Sequence, residues 1–143
     1  MYPHLLEIDI SGCDMIGDES IVNFVSVFRY LQVLKVINNA NITDNLLKSI
    51  ARDLKDLHQL DICFCPKISN AGLFTVAKYC KNCKQIYVGD HQFPNQLVEV
   101  VENMSVRITK CGLGSGSDWL PNDRPLITHD NMMINVIDKV FSN

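Results

Sequence analysis

An α/β solenoid, a right-handed superhelix of about five short parallel strands with helices on its convex face, is the architecture that three features of this chain predict. The first is a period: Leu5, Leu31, Leu57 and Cys83 stand 26 residues apart and open matching phrases, LLEIDISGC, LQVLKVINN, LHQLDICFC and CKQIYVGDH. A fixed repeat of about 20 to 50 residues signals one unit stacked several times, because a single unit cannot bury its own apolar face. The second is an alternation of period two inside each phrase, and the third is a stripe of spacing three and four that follows it.

The strands come first. In Leu57, Leu60, Ile62 and Cys65 the apolar side chains fall at offsets 0, 3, 5 and 8. The step from 3 to 5 is that of a short strand with one buried face. Leu5, Ile8, Ile10 and Cys13 repeat these offsets, as do Leu31, Leu34, Val36 and Asn39. Ile16, Ile21, Phe24, Val25 and Phe28 then predict an amphipathic helix, matched by Ile42, Leu47, Ile50, Ala51 and Leu54, and by Ile68, Leu73, Val76, Ala77 and Cys80. Asp18, Asp44 and Asn70 mark the helix starts, where a short polar side chain can accept a bond from a free backbone N–H.

The fourth unit keeps register through Val88 and His91, but its turn shortens, so Leu97, Val100 and Val101 arrive two residues early against Leu73, Val76 and Ala77. Val106, Ile108 and Cys111 predict a fifth strand at offsets 3, 5 and 8. Residues 112–126, GLGSGSDWLPNDRPL, break the periodicity and predict a loop. Thr128, Asp130, Met132, Met133, Val136, Ile137, Val140 and Phe141 predict a closing helix over 128–142. The repeats thus run approximately 5–30, 31–56, 57–82, 83–102 and 103–143, within a single domain 1–143. At the other end Leu5, Ile8 and Ile10 lie in a strand almost at once, so an apolar edge is expected there, covered by further repeats, a helical domain or a second copy of the chain.

The pattern LxxLxLxxC/N followed by IxD/N and a helix resembles the cysteine-containing class of leucine-rich repeats. Residues 57–83, LHQLDICFCPKISNAGLFTVAKYCKNC, carry most of that consensus, and the likeness extends over roughly residues 5 to 111. The resemblance implies the substrate-recognition repeats of an F-box-like receptor in the ubiquitin-conjugation pathway, a cullin-type ubiquitin-ligase substrate receptor. No F-box pattern stands in these residues, so in that reading the ligase adaptor is reached through a region N-terminal to them. The alternative is a free-standing repeat adaptor or assembly factor without a ligase link, of the mitotic-exit or mitochondrial-assembly type.

Composition fits one domain: 143 residues, 47% of them hydrophobic, with formal net charge −3. No apolar run nears the ~20 residues of a membrane span, and the N-terminus lacks the pattern of a secretory signal. A cytoplasmic protein is expected, with the nucleus open to it, having no membrane contact and no electrostatic reason to bind nucleic acid. Lys78, Lys81 and Lys84 cluster at a helix end, where cations complement the helix dipole.

Cys63, Cys65, Cys80 and Cys83, with His91, spell CxC then CxxC, a spacing that on its own suggests zinc. The repeat register argues against it: Cys65 takes the inward position, Cys80 and Cys83 take core positions, and Cys63 faces the other way. Cys13 and Cys65 would lie two strands apart, about 9.6 Å, beyond disulfide reach. Buried reduced thiols are expected, with neither metal nor cofactor. At the same offset Asn39 can bond to backbone in the turn.

The concave face is where a protein ligand is expected. Parallel strands in register set equivalent side chains in columns. One column reads Asp9, Lys35, Asp61, Tyr87, Arg107, and the next Ser11, Ile37, Cys63, Gly89, Thr109. Asp9, Lys35 and Asp61 can pair laterally. Ile37, Phe64 and Tyr87 with Arg107 have the composition of a protein-binding hot spot, so Lys35, Ile37, Asp61, Phe64, Tyr87 and Arg107 are the candidate partner-binding residues. Catalysis is not expected: the four histidines fall in no metal-hydrolase motif, no serine or cysteine sits in a nucleophile context, and Gly112, Gly114 and Gly116 open no phosphate-binding helix.

Overall fold

Each 26-residue unit becomes a strand followed by a helix in the computed structural model, which describes residues 4–13, 15–89 and 92–111. In chain order the elements are β1 (Glu7–Asp9), α1 (Asp18–Val27), β2 (Val33–Lys35), α2 (Asp44–Asp53), β3 (Gln59–Asp61), α3 (Asn70–Tyr79), β4 (Gln85–Gly89), α4 (Asn95–Glu102) and β5 (Arg107–Cys111). The strands form one five-stranded sheet in the order β1-β2-β3-β4-β5, with every neighbouring pair parallel. All nine elements belong to the unit Met1–Cys111. The expected loop 112–126 and closing helix 128–142 lie outside the described residues.

Register follows from the repeat. Ile8, Leu34, Leu60 and Ile86 stand side by side, as do Asp9, Lys35, Asp61 and Tyr87. The backbone ladder runs past the strands: Ile10 N–H donates to the Lys35 carbonyl and Val36 N–H to that of Asp61, both at 2.9 Å. The chain then turns at Gly12, Asn38 and Phe64, three equivalent positions whose φ is 71°, 56° and 58°. These left-handed residues end the strands early.

Burial follows the two periods. Ile8, Ile10, Leu34, Val36, Leu60, Ile62, Ile86 and Val88 are buried on one face of the sheet, together with Ile21, Phe24 and Val25 of α1, Leu46, Leu47 and Ile50 of α2, and Leu73 and Val76 of α3. Each such side chain contributes roughly 1.5–3 kcal/mol by leaving water. Successive helices pack in order, α1 on α2, α2 on α3 and α3 on α4. The helices end alike, the N–H of Phe28, Leu54 and Cys80 donating to the carbonyls of Phe24, Ile50 and Val76.

The last units depart from the sequence expectation. In α4 the fully buried residue is Val101, while Val100, expected to match Val76, is 49% exposed. Phe93, just ahead of the helix, is buried instead. In β5, Ile108 lies opposite Ile86, Thr109 opposite Tyr87 and Cys111 opposite Gly89. Alignment by offsets had put Ile108 beside Val88, two residues away. A shift of two preserves which face each side chain takes, so alternation alone cannot detect it. The tight turn after α4, where Ser105 has φ 70° and its N–H bonds the Glu102 carbonyl at 3.0 Å, takes up residues that the offsets assign to the strand, so the chain enters the sheet two residues later in sequence.

Helix starts are also corrected, and the correction shows what joins the units. Asp18, Asp44 and Asn70 are the first helical residues, and the N-caps are Gly17, Thr43 and Ser69. Thr43 caps α2 by accepting from Asn45 N–H at 3.2 Å. The Asp18 carboxylate reaches the next unit, where it accepts the Thr43 N–H at 2.8 Å and the Thr43 hydroxyl. Asp44 repeats this one unit on, accepting the Ser69 N–H at 2.8 Å and the Ser69 hydroxyl. Placed at helix N-termini, both carboxylates also sit at the positive end of a helix dipole. The pattern stops at α4, whose N-cap is Pro94, with neither N–H nor hydroxyl to offer.

Gly72 makes the close approach of α2 and α3 possible. A Cβ there would collide with Asp44 Oδ1 and lie 2.8 Å from Leu47 Cδ1. Gly72→Ala should therefore destabilise the fold by about 1–3 kcal/mol, the usual cost of overpacking, although alanine favours helix. Urea denaturation reads this directly; an unchanged or raised midpoint would mean that the two helices have room.

Candidate functional site

Period-two alternation turns Asp9, Lys35, Asp61, Tyr87 and Thr109 to the sheet face opposite the helices. Of the six candidate residues, Lys35, Ile37 and Asp61 are buried, Phe64 and Tyr87 are half-buried, and Arg107 is exposed. The lateral row Asp9, Lys35, Asp61 does not pair as expected. Lys35 Nζ lies 2.7 Å from Glu7 Oε1, diagonally across the β1–β2 pair. Asp9 and Asp61 instead turn along their own strands, accepting the N–H of Ser11 at 2.9 Å and of Cys63 at 3.2 Å. Short acids two residues before a free N–H make this local bond readily, and it holds the strand end ahead of the left-handed turn. Removing Glu7 would leave the Lys35 ammonium buried without its carboxylate, a costly state.

The fifth strand rearranges the other candidates. Arg107 stands opposite Gln85, and Thr109 takes the place beside Tyr87. Gln85 Nε2 donates to Thr109 Oγ1 at 2.8 Å, knitting β4 to β5 on this face. Tyr87 thus lies between Asp61 and Thr109, and Arg107 belongs to the column Glu7, Val33, Gln59, Gln85. Ile37 neighbours Cys63 in the next column, and its N–H donates to the Ser11 hydroxyl at 3.1 Å.

Phe64 is the unusual member. Gly12 and Asn38 suit a positive φ at the equivalent turns, whereas a bulky aromatic there carries strain of order 1–3 kcal/mol. Its ring leans over Gly89: Phe64 Cδ1 is 3.5 Å from where a Gly89 Cβ would be. Half-buried Phe64 and Tyr87 are accordingly the aromatic groups that adjacent strands present on this side.

Two features escaped sequence reasoning. Gln92 reaches back to the preceding unit, its Nε2 donating to the Cys65 carbonyl at 2.9 Å while its Oε1 accepts the Gly89 N–H at 3.0 Å. Asn39 does the same one position earlier in its own unit, donating to the Cys13 and Ile16 carbonyls at 3.2 and 3.1 Å. An amide one residue beyond the expected ladder position is the signal; the histidine assigned that place, His91, lies outside the described residues. The second feature is a thiol pair. Cys63 and Cys111 flank Gly89 in one column, and burial, the nearby Asp61 charge and a hydrogen bond with Cys111 push the Cys63 thiol far above its usual range.

The remaining mid-chain thiols are dispersed through the core. Cys65 Sγ lies 3.0 Å from the Val36 carbonyl, Cys80 Sγ 3.9 Å from that of Ile50, and Cys83 Sγ 3.7 Å from that of Gln85. Among the described residues no group of three or more His, Cys, Asp or Glu side chains is placed to hold a metal ion. Burial pushes Cys65 and Cys80 up to about 11 and Cys83 up to about 12, against 9.0 for an open thiol. Their folded values are raised, so the stabilisation is complete below the unfolded value and is lost as pH climbs toward the folded ones. Urea midpoints should fall between pH 9.0 and about 12, with a shallower fall in Cys65→Val and Cys83→Val. Equal slopes in wild type and variants would show that these thiols are not buried.

Among the described residues no helix is long and apolar enough to cross a membrane. No family model matches the chain. Over 106 residues, 68% of the chain, it is 27% identical to a protein of Candida glabrata named Antagonist of mitotic exit network protein 1, and it spans 21% of that relative's length.

Proposed function

We propose that this chain is a protein-binding leucine-rich-repeat solenoid that acts as an adaptor of the mitotic-exit type, without chemistry of its own. The observation that carries the reading is the 27% identity, over 106 residues, to a protein named for antagonising the mitotic exit network. The fold is compatible with it: strands 26 residues apart lie parallel in one sheet with helices packed in sequence, the arrangement expected of stacked repeats. Such repeats bind through an extended surface, and the half-buried aromatics Phe64 and Tyr87 supply the anchor type that dominates protein interfaces. The ligase-receptor alternative has no comparable support in a relative. A cytoplasmic or nuclear protein partner, and no cofactor, complete the proposal.

Expressing the chain in dividing yeast should delay exit from mitosis, scored as accumulation of large-budded cells with separated nuclei. Phe64→Ala combined with Tyr87→Ala should abolish the delay at an unchanged protein level. Normal timing with the wild-type chain would contradict the mitotic-exit assignment. Co-purification of a cullin-ligase adaptor with the wild-type chain would favour the ligase reading in its place.

A further inference from the structure

Away from the sheet face, the repeat lines up positive charge along one edge. Arg29, Lys55 and Lys81 are 26 residues apart, each two residues past the last residue of α1, α2 and α3. Arg52 and Lys78 form a second equivalent pair in the last turns of α2 and α3, and Lys84 follows at the start of the next unit. All six are exposed, and between Arg29 and Lys84 the same edge offers only the carboxylates of Asp53 and Asp56. Asp53 is bonded by Arg52, whose Nε and Nη2 lie 3.0 and 2.8 Å from its oxygens, and also feels the charges of Arg29 and Lys55, so one carboxylate is shared among three cations and the edge keeps a positive excess. The chain as a whole is acidic, at −3, so this edge runs against the average.

Helix stabilisation accounts for part of this. Lys55 Nζ bonds the Ala51 carbonyl at 2.6 Å and Arg29 Nε bonds the Ser26 carbonyl at 3.1 Å, as cations do at helix C-termini. It does not account for Lys81 and Lys84, whose side chains make no hydrogen bond or ion pair among the described residues. Lys78 sits 5.1 Å from the ring centroid of Tyr79, which is 51% exposed. Tyr30, at the Asp56 position of the first unit, is 56% exposed. Cations interleaved with exposed tyrosines have the composition of a protein-binding surface.

We propose that this edge binds an extended acidic or phosphorylated segment of a protein partner, with a negative group at every third residue. The spacing comes from the stack. Packed helices lie about 8–10 Å apart, so Arg29, Lys55 and Lys81 form a row with roughly that step. A segment in the polyproline II conformation advances ~3.1 Å per residue with about three residues per turn, so every third side chain returns to the same face about 9 Å further on and meets the next cation. The row also faces one way along the chain, which gives the segment a register as well as an attraction. This inference does not depend on the mitotic-exit assignment or on the sheet face.

Fluorescence anisotropy with labelled peptides tests it on the whole chain. One peptide carries phosphoserine at every third position among glycine and serine, a second carries glutamate there, a third has the same acids consecutive, and a fourth is uncharged. The spaced acidic peptides should bind at least about tenfold more tightly than the consecutive and uncharged ones, and the binding should weaken as salt rises from about 0.05 to about 0.5 M. Preference for phosphoserine would assign a phosphorylated partner, and equal binding a plainly acidic one; either supports the proposal. Lys81→Glu with Lys84→Glu should lower affinity about tenfold or more with an unchanged melting curve, and Lys81→Gln with Lys84→Gln should lower it less. Absence of binding, equal binding by the charge-reversed variant, indifference to acid spacing, or tighter binding of an oligouridine RNA of the same charge would overturn it.

Discussion

A carboxylate at the first residue of α1 and of α2, bonded to the N-cap residue of the following helix, is the interaction on which the stacking of the first three units depends. Apolar burial gives the units a reason to associate, but burial is non-directional and would tolerate sliding of one helix along another. The Asp18 bonds to the Thr43 N–H and hydroxyl, and those of Asp44 to Ser69, fix the helices axially. Charge-assisted bonds of this kind are about twice as strong as neutral ones. Gly72 follows from the same contact, since any side chain there would occupy the place of the Asp44 carboxylate.

A second line of bonds runs through the strand-end turns. Asn39, Cys65 and Gln92 each direct a side-chain donor at a carbonyl of the preceding unit, at 3.1 Å to Ile16, 3.0 Å to Val36 and 2.9 Å to Cys65. An amide, a thiol and a longer amide thus do one task. The thiol is the weakest donor of the three, and it is fully buried at position 65. Turn geometry is shared as well, through the left-handed residues Gly12, Asn38 and Phe64. Phe64 adopts that conformation against its own preference and projects its ring over Gly89.

Much of this was legible in the sequence because two periods were superimposed. Alternation marked Ile8, Leu34, Leu60 and Ile86 as one buried row, and the three-and-four spacing marked Leu47, Ile50, Leu73 and Val76. What periodicity cannot carry is direction and phase. Asp18 and Asp44 were readable as helix-start residues, but whether a short acid bonds its own helix or a neighbour depends on packing. The register of β5 differs by two residues from the one the offsets predict because both alignments put Val106 and Ile108 on the same face; the offsets set Arg107 beside Tyr87, where the structure has Thr109. Burial of Lys35 and Asp61 was likewise hidden, since charged residues at outward strand positions read as exposed.

The most direct test of the stacking account is a double-mutant cycle on Asp44 and Ser69, using Asp44→Ala, Ser69→Ala and the combined variant in urea denaturation. The Asp44 carboxylate and the Ser69 hydroxyl that donates to it should couple by about 1–3 kcal/mol, so that the double variant loses much less than the two single losses together. Coupling near zero together with an unchanged urea midpoint in Asp44→Ala, which removes the bonds to both the Ser69 hydroxyl and N–H, would show that the carboxylate does not hold the units in place and that apolar burial alone sets their order.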